Sequence, residues 1–330
     1  MPPKRPSEDP LDPYRAELER LARPAVRLAR ASQKTNCHLG GLPRVPASFV
    51  WPSNKEGRPL GFLAQLDLAE VRAAAEIEWL PKAGTLLFFY DVIEEPWGHE
   101  PEDRGGWKVI YLDEGRALAE ATAPEAPQRT YESTRLSIMD PEVLRGLFKD
   151  PRGLLKDPRR ILEARNLVKV TKETHSETVD VVFDRFDLEP STFKSFPSFE
   201  DRAMRAVWPK HGLEAEAVKE AYGEFRAEEL PRPQHQMEGY PVTVQAAEIE
   251  AEAHLAFQGV GDEDLEEMSR SRREQLLTGH EEWRLLLQLD SDEDGPGWMW
   301  GDSGLLYFLV RRDDARRGNF DDVWVILQCF

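Results

Sequence analysis

Leu63-Ala-Gln-Leu-Asp67 stands early in the chain, and Leu286-Leu-Gln-Leu-Asp290 stands 223 residues later (63 to 286). Apolar and polar residues alternate at the end of each stretch, which is the period of a β-strand. In both stretches Gln and Asp are two residues apart, so they point to one face of the strand and leucine points to the other. One strand pattern present twice indicates that the chain contains the same structural unit twice.

Further matched landmarks flank these two strands. The first set is His38, Gly41-Leu-Pro43, Gly84–Phe89 and Val109-Ile-Tyr111, and the second is His235, Gly239-Tyr-Pro241, Gly304–Phe308 and Val325-Ile-Leu327. The order is the same in both sets. A period of about 200 residues is too long for a solenoid or a propeller, whose repeats run ~20–50 residues. We therefore predict an α+β fold in which two pseudo-symmetric, strand-rich halves share a core.

The landmarks divide the chain into four predicted segments. These are an N-terminal helix and strand (1–35), the first half-repeat (36–114), an inserted helical connection (115–233) and the second half-repeat (234–330). In the first segment, leucines at helical spacing precede Pro24, which cannot donate a backbone hydrogen bond within a helix. Val26 and Leu28 then alternate with polar or small residues as in a strand.

The connection at 115–233 resembles neither half. Its sequence has helical character at 141–149, 158–166 and 213–229, and strand character at 179–186. A structureless loop of this length is unusual in a compact chain. We therefore predict a helical region of its own.

The sequence combines His38-Leu-Gly-Gly-Leu-Pro43, Trp51-Pro52, Gly61–Asp67, Leu86-Leu-Phe-Phe-Tyr-Asp91, Leu285–Asp292, Met299-Trp-Gly-Asp302 and Gly304–Phe308. Together these motifs resemble the YwqG-like family, a bacterial domain of unknown function (number 1963). The resemblance covers most of residues 11–330 and implies an α+β fold with two similar halves. It implies no catalytic residues. The segment at 115–233 departs most from the family pattern.

Composition excludes several classes of protein. The 330 residues are 40% hydrophobic and include 9 Trp and 15 Phe, which is ample for a buried core and too much for a disordered chain. No apolar run approaches the ~20 residues that span a bilayer, and residues 1–10 do not resemble a signal peptide. Two cysteines, Cys37 and Cys329, do not make a disulfide framework. We predict a cytoplasmic protein with no membrane partner.

The charge indicates the kind of partner. A formal net charge of −18 argues against nucleic acid, because phosphate contacts need clustered Lys and Arg. Residues 246–268 contain eight acidic side chains and no Lys or Arg. Such a stretch is either a solvated helix face or an electrostatic docking surface for a basic protein. The predicted partner is therefore another protein, of basic character, bound through the acidic surface.

Four polar residues of the two matched strands are candidate binding residues: Gln65, Asp67, Gln288 and Asp290. A buried polar group needs a hydrogen-bond partner, because an unsatisfied one costs ~1–3 kcal/mol. Two interpretations follow. Either each Asp fastens the loop after its strand, or all four residues line a ligand cleft that the two halves share.

Four more residues complete the candidate set. His38 and His235 hold matched places, so they either converge as a metal or acid/base pair or each anchor its own Gly-x-Pro turn. Trp300 and Asp302 lie in a loop rich in tryptophan and acid, next to the second matched strand.

Two local motifs suggest chemistry and are set aside. Asp290-Ser-Asp292-Glu-Asp294-Gly295 matches the first half of a calcium loop, but position 12 is Gly301 instead of glutamate. No metal is favoured, and Asp290, Asp292 and Asp294 are only weak metal candidates. Gly301-Asp-Ser-Gly304 spells the tetrapeptide around a protease serine, but no histidine stands in the corresponding setting. No phosphate-binding or dinucleotide motif is present, and we predict no cofactor.

These observations favour a non-enzymatic protein-binding module, of the kind found in immunity or antitoxin proteins. The alternative is an uncharacterised enzyme, or a small-ligand or cation-binding protein, that uses an acidic cleft between the halves. The two hypotheses differ in geometry. Convergence of Asp67, Asp290, Asp302 and a histidine would favour the alternative, and dispersal of these residues over separate turns would favour the protein-binding module.

Overall fold

The computed structural model describes residues 9–138 apart from 114 and 116, then 168–201, 203, 204, 207, 213–245 and 248–330. The chain forms two compact units. The first takes residues up to Glu125 and from Asp180 onward, and the second is Ala126–Val179. Within the described ranges no helix is both long and apolar enough to cross a membrane.

Fourteen strands are described. They are β1 (Arg23–Arg30), β2 (His38–Leu39), β3 (Arg44–Val45), β4 (Gly61–Asp67), β5 (Thr85–Tyr90), β6 (Trp107–Leu112), β7 (Ala119–Glu120), β8 (Gln128–Ile138), β9 (Val168–Thr178), β10 (Phe186–Ser195), β11 (Gln236–Met237), β12 (Trp283–Asp290), β13 (Leu305–Arg311) and β14 (Trp324–Gln328).

The described α-helices are short apart from the third. They are α1 (Arg15–Leu21), α2 (Leu68–Ala74), α3 (Leu213–Glu229), α4 (Ile249–Phe257), α5 (Asp262–Glu267), α6 (Arg270–Leu276) and α7 (Arg312–Arg316). Single 3₁₀ turns occur at Asp12–Tyr14, Pro101–Asp103 and His280–Glu282.

Ten strands of the first unit form one antiparallel sheet in the order β14-β13-β12-β11-β1-β10-β2-β4-β5-β6. The long strands β1 and β10 pair at its centre, from Arg23 opposite Ser195 to Arg30 opposite Leu188. Four strands follow on each side. β3 and β7 form a separate two-stranded sheet.

The sheet curls until its two flanks pack face to face. The ring of Phe88 on β5 lies edge-on to that of Phe308 on β13, with centroids 5.2 Å apart. At the sheet edges, Trp107 Nε1 donates to the Val323 carbonyl at 2.8 Å. Trp107 and Trp324 also make an edge-to-face pair at 5.1 Å. The sheet is therefore nearly closed around one apolar core.

Strand β5 shows why its sequence is almost continuously apolar. Leu86 and Phe88 face the main core between the flanks. Leu87 and Phe89 point the other way into a smaller cluster, where Phe62 joins them. A strand buried on both faces lacks polar alternation.

The second unit, as described, is a ribbon of β8 and β9, paired in register from Gln128 opposite Thr178 to Ile138 opposite Val168. Its described side chains are exposed or half-buried. Cross-strand contacts include Tyr131 stacked on His175 and the ion pair of Lys172 with Glu132.

Most strands predicted from apolar patterns are confirmed, including β1, β4, β5, β6, β12, β13 and β14, and so is the helix at 213–229. The α+β class is confirmed as well.

The prediction of a helical connection at 115–233 is wrong for the described residues, which contain β7–β10 and one helix. Strand β10 begins at Phe186, so the strand expected at 179–186 is also misplaced. The physical reason is that β8 and β9 are polar on both faces and β10 is only half-buried, so none shows a clear apolar period. The helices expected at 141–149 and 158–166 lie outside the described residues.

Candidate functional site

The side-chain amides of Gln65 and Gln288 each hydrogen-bond to two backbone segments in their own flank of the sheet. Gln65 Oε1 accepts from the backbone N–H of Arg44 at 2.8 Å, and its Nε2 donates to the Asn36 carbonyl at 3.1 Å. Gln288 does the same with Val242 N–H, at 2.8 Å, and the Gln234 carbonyl, at 2.7 Å. Both amides are occupied by backbone groups.

The two aspartates also fasten local structure. Asp67 is the N-cap of α2, where its carboxylate accepts from the backbone N–H groups of Ala69 and Glu70. Such a cap contributes about 1 kcal/mol. Asp290 is fully buried, and its Oδ2 accepts from the Gln234 N–H at 2.9 Å. Its Oδ1 is buried and has no partner among the described residues.

The structure does not bring these two polar pairs together. β4 and β12 are separated in the sheet by β2, β10, β1 and β11. Each pair is hydrogen-bonded within its own flank: Gln65 and Asp67 bind backbone groups of residues 36–70, and Gln288 and Asp290 bind backbone groups of residues 234–242. Gln65, Asp67, Gln288 and Asp290 therefore do not line one cleft.

The histidines do not converge either, and their contacts differ. His38 Nδ1 donates to the Gly40 carbonyl at 2.8 Å, so His38 anchors the Gly-x-Pro turn. Burial, with the nearby charge of Arg185, lowers the pKa of His38 to about 4. His235 Nδ1 instead accepts from the Asp290 N–H at 3.1 Å, and its Nε2 donates to Asp292 Oδ2 at 3.4 Å.

The register shows that His38 and His235 are not at matched positions. His38 pairs with Gln65, and the residue that pairs with Gln288 is Gln236. His235 corresponds instead to Cys37, because Cys37 Sγ accepts from the Asp67 N–H as His235 Nδ1 accepts from the Asp290 N–H. In strand pairing His38 therefore resembles Gln236, and in its hydrogen bond Cys37 resembles His235.

The tryptophans of the 298–302 loop are buried. Trp298 and Trp300 are each 2% exposed, and their ring centroids lie 5.3 Å apart. The ring of Trp300 also contacts that of Tyr90. Their indole N–H groups have no partner among the described residues. Asp302 is exposed, and its carbonyl accepts from the Phe330 N–H. Trp300 is therefore a core residue in this fold.

The weak metal candidates are held apart by their hydrogen bonds. Asp290 is buried and accepts from the Gln234 N–H, Asp292 accepts from His235, and Asp294 is exposed. Within the described ranges, no three His, Cys, Asp or Glu side chains are arranged to hold a metal ion.

The acidic stretch divides into a packed helix and an exposed one. In α4, Glu252 is half-buried, and its Oε2 accepts from Gln328 Nε2 at 3.4 Å. Burial raises the pKa of Glu252 to about 7. In α5, by contrast, three acids are exposed: Asp262, Asp264 and Glu267.

A second acidic segment joins α5. The backbone N–H of Asp262 donates to Glu100 Oε1 at 3.2 Å. Three residues before Glu100 stands Trp97, which is 43% exposed. We call Trp97, Glu100, Asp262, Asp264 and Glu267 the acidic patch. Of these residues, the three in α5 belong to the acidic stretch 246–268 that the sequence singles out. Trp97 and Glu100 were missed, although the acid-rich residues 94–103 were a usable signal for Glu100.

The loop that carries Trp97 is fixed to β14. Gly98 has φ +80°, and a Cβ there would lie 1.7 Å from the Val325 carbonyl oxygen. The Gly98 carbonyl accepts from Trp324 Nε1 at 2.7 Å. Glycine therefore permits the close approach that holds Trp97 in place.

Replacing Glu252 by glutamine should stabilise the protein at pH 8 and leave stability unchanged at pH 4. The folded-state pKa of about 7 exceeds the usual 4.5 of glutamate, so the buried group favours its protonated form. Its contribution to stability is full below the unfolded pKa and is lost as pH rises through about 7. The gain at pH 8 should be about 3 kcal/mol.

Urea unfolding at the two pH values measures this gain. Glu267→Gln, at an exposed acid of α5, is the control and should change stability at neither pH. An equal effect of Glu252→Gln at both pH values would contradict the burial argument.

A cavity of about 300 Å³ lies beside His235. Its walls come from β1, β2 and β10 and from the loop after β12. The sequence singled out three of its lining residues, His235, Asp292 and Asp294, but not Arg30 or Phe186. Phe186 was missed because β10 was not recognised as a strand, and Arg30 lies on the predicted strand β1 but belongs to no local motif.

The comparison with protein families gives a match. The family model described as "Domain of unknown function (DUF1963)" matches residues 37–329. A search of curated proteins finds no match for the chain.

Proposed function

The chain belongs to the DUF1963 family, a domain of unknown function, and we propose that it is a non-enzymatic protein-binding module for a basic protein. The observation that carries the proposal is the acidic patch. Carboxylates from two segments that are distant in sequence meet there, and an exposed tryptophan, Trp97, lies three residues before Glu100. Tryptophan is enriched at binding hot spots, and one-signed charge speeds the encounter with a partner of opposite sign.

Two basic side chains close to the patch in sequence already have partners: Arg270, three residues after Glu267, pairs with Glu274 at 3.1 Å. Arg104 follows the acid-rich loop, but its guanidinium lies 4.8 Å from the ring centroid of Phe257 and pairs with Asp322 at 3.4 Å. It therefore does little to neutralise the patch. The overall charge of −18 adds a long-range field of the same sign.

The arrangement of the polar residues supports a binding module over an enzyme. Asp67 caps α2, Asp290 holds Gln234, and Asp302 is exposed in a separate turn. The residues whose convergence would have favoured catalysis are thus dispersed over different loops.

The biological setting that fits this proposal is the cytoplasm of a bacterium, as the resemblance to YwqG-like proteins implies. An acidic patch suits an immunity or antitoxin-type protein whose target presents a basic surface. We also infer that the two flanks of the sheet are pseudo-symmetric products of a duplication. The matched clamps of Gln65 and Gln288 support that inference.

Affinity capture from the native host, followed by mass spectrometry, tests the proposal. The full chain and the variant Asp262→Lys/Glu267→Lys are used as baits. We expect the wild-type bait to enrich a basic protein that the variant fails to enrich, because the variant reverses two charges of the patch.

A matched control makes the result specific. Glu224 and Glu228 are exposed acids on α3, and reversing both gives the same change in net charge. This control should still enrich the basic protein. Identical enrichment by wild type and by the patch variant would contradict the proposal.

The alternative of a small-ligand protein is favoured by one observation, the cavity beside His235.

A further inference from the structure

The cavity beside His235 has an apolar wall built by three neighbouring strands. Arg30 of β1 is directly opposite Leu188 of β10, and Phe186 of β10 is directly opposite Leu39 of β2. Residues directly opposite one another share a face of the sheet, as do residues two apart. Leu28 belongs to the same face as Arg30. The wall is therefore continuous.

Arg30 is the cation on this face of the wall; Arg27, which also lines the cavity, is on the opposite face of β1. The Arg30 guanidinium lies 4.4 Å from the ring centroid of Phe186, which holds it in place at the cavity. Within the described part of the chain it makes no ion pair within 4 Å. Arg30 is exposed, and its charge contributes to lowering the pKa of Asp292, but no carboxylate of the described residues pairs with it directly, so the guanidinium is open to a ligand carboxylate.

The opposite side of the cavity is acidic. Asp292 accepts from His235 Nε2, and this hydrogen bond, more than any other contact, holds the pKa of Asp292 below its usual range. Asp292 is therefore a carboxylate at neutral pH. Asp294, two residues on, is exposed and also lines the cavity.

His235 is fixed at the base of this acidic side. Its carbonyl accepts from the Leu28 N–H at 3.0 Å, and its Nδ1 accepts from the Asp290 N–H. The Nε2 proton therefore points to Asp292. Both ring nitrogens are occupied, so His235 orients Asp292 and has no free nitrogen for proton transfer.

From this geometry we infer that the cavity binds a free α-amino acid with a large apolar side chain. The apolar wall takes the side chain, Arg30 takes the carboxylate, and Asp292 and Asp294 take the ammonium group. A ligand with one charge only would leave the opposite charge of the site unmatched. The volume of about 300 Å³ is at the lower limit of ligand pockets and suits a molecule of this size.

Titration calorimetry on the full chain with four probes tests each part of the inference. L-Phenylalanine has all three features; 3-phenylpropionate lacks the ammonium group, phenethylamine lacks the carboxylate, and glycine lacks the side chain. We expect L-phenylalanine to bind, and each of the other three to bind at least about tenfold more weakly.

Arg30→Gln should weaken L-phenylalanine binding by at least about tenfold. Arg23→Gln is the matched control: Arg23 is on the same strand and also lies over an aromatic ring, that of Tyr240, but outside the cavity. Arg23→Gln should bind L-phenylalanine as tightly as wild type does.

Three results would overturn the inference: no binding of L-phenylalanine to wild type at millimolar concentration, equal binding by Arg30→Gln, or phenethylamine binding as tightly as L-phenylalanine. The inference is independent of the proposed protein partner, because Arg30→Gln leaves the acidic patch intact.

Discussion

Replacing Phe308 by alanine should lower the free energy of unfolding by about 3–5 kcal/mol. Phe308 is fully buried where the two flanks of the sheet pack, and its ring contacts that of Phe88. The change removes a large apolar side chain and leaves a cavity between two flanks that cannot easily collapse. Urea unfolding followed by tryptophan fluorescence measures the loss.

A double-mutant cycle shows whether the flanks meet as described. Phe88→Ala and Phe308→Ala together should show a coupling energy of about 0.5–1.5 kcal/mol. Phe62 is equally buried but belongs to the smaller cluster. Phe62→Ala with Phe308→Ala should therefore be additive to within about 0.5 kcal/mol. If the losses of Phe88→Ala and Phe308→Ala simply add, the two flanks do not pack against each other at these residues.

Replacing Gln288 by leucine should cost about 2–4 kcal/mol, since two backbone groups lose their partners. Val242 N–H and the Gln234 carbonyl are held by the Gln288 amide, which is fully buried. Leucine keeps the approximate volume of the side chain, so the loss reports mainly the hydrogen bonds.

Gln65→Leu is the internal comparison and should cost about 1 kcal/mol. Its partners are the Arg44 N–H and the Asn36 carbonyl, and both residues are exposed. Water can therefore replace the lost hydrogen bonds. Thermal and urea unfolding of both variants measure the difference. Equal losses would show that burial does not distinguish the two clamps.

Much of the sheet is predictable because its strands bury apolar side chains. β5 and β13 are long apolar runs between turns, and β4 and β12 end in the same Gln-Leu-Asp. β10 is not predictable in this way. It contains Pro190 and alternates irregularly, and the long-range pairing with β1 stabilises it as a strand.

The candidate site is predictable only where roles are local. Asp67 at a strand end, followed by a helix, is a cap that the sequence suggests. The predicted match of His38 with His235 is off by one residue: His38 pairs with Gln65, but Gln236 pairs with Gln288. Strand register depends on backbone pairing, and two residues of the same type do not reveal it. The contact of Glu100 with α5 joins residues 162 apart, which no local pattern indicates.

The affinity of the captured partner for the acidic patch tests the central claim most directly. Binding of the purified partner is measured at low and at high salt, with wild type, with Asp262→Lys/Glu267→Lys and with Glu224→Lys/Glu228→Lys. We expect wild-type affinity to fall steeply with salt, the patch variant to bind at least about tenfold more weakly at low salt, and the α3 variant to match wild type. Salt-independent binding that the patch variant retains in full would contradict the account.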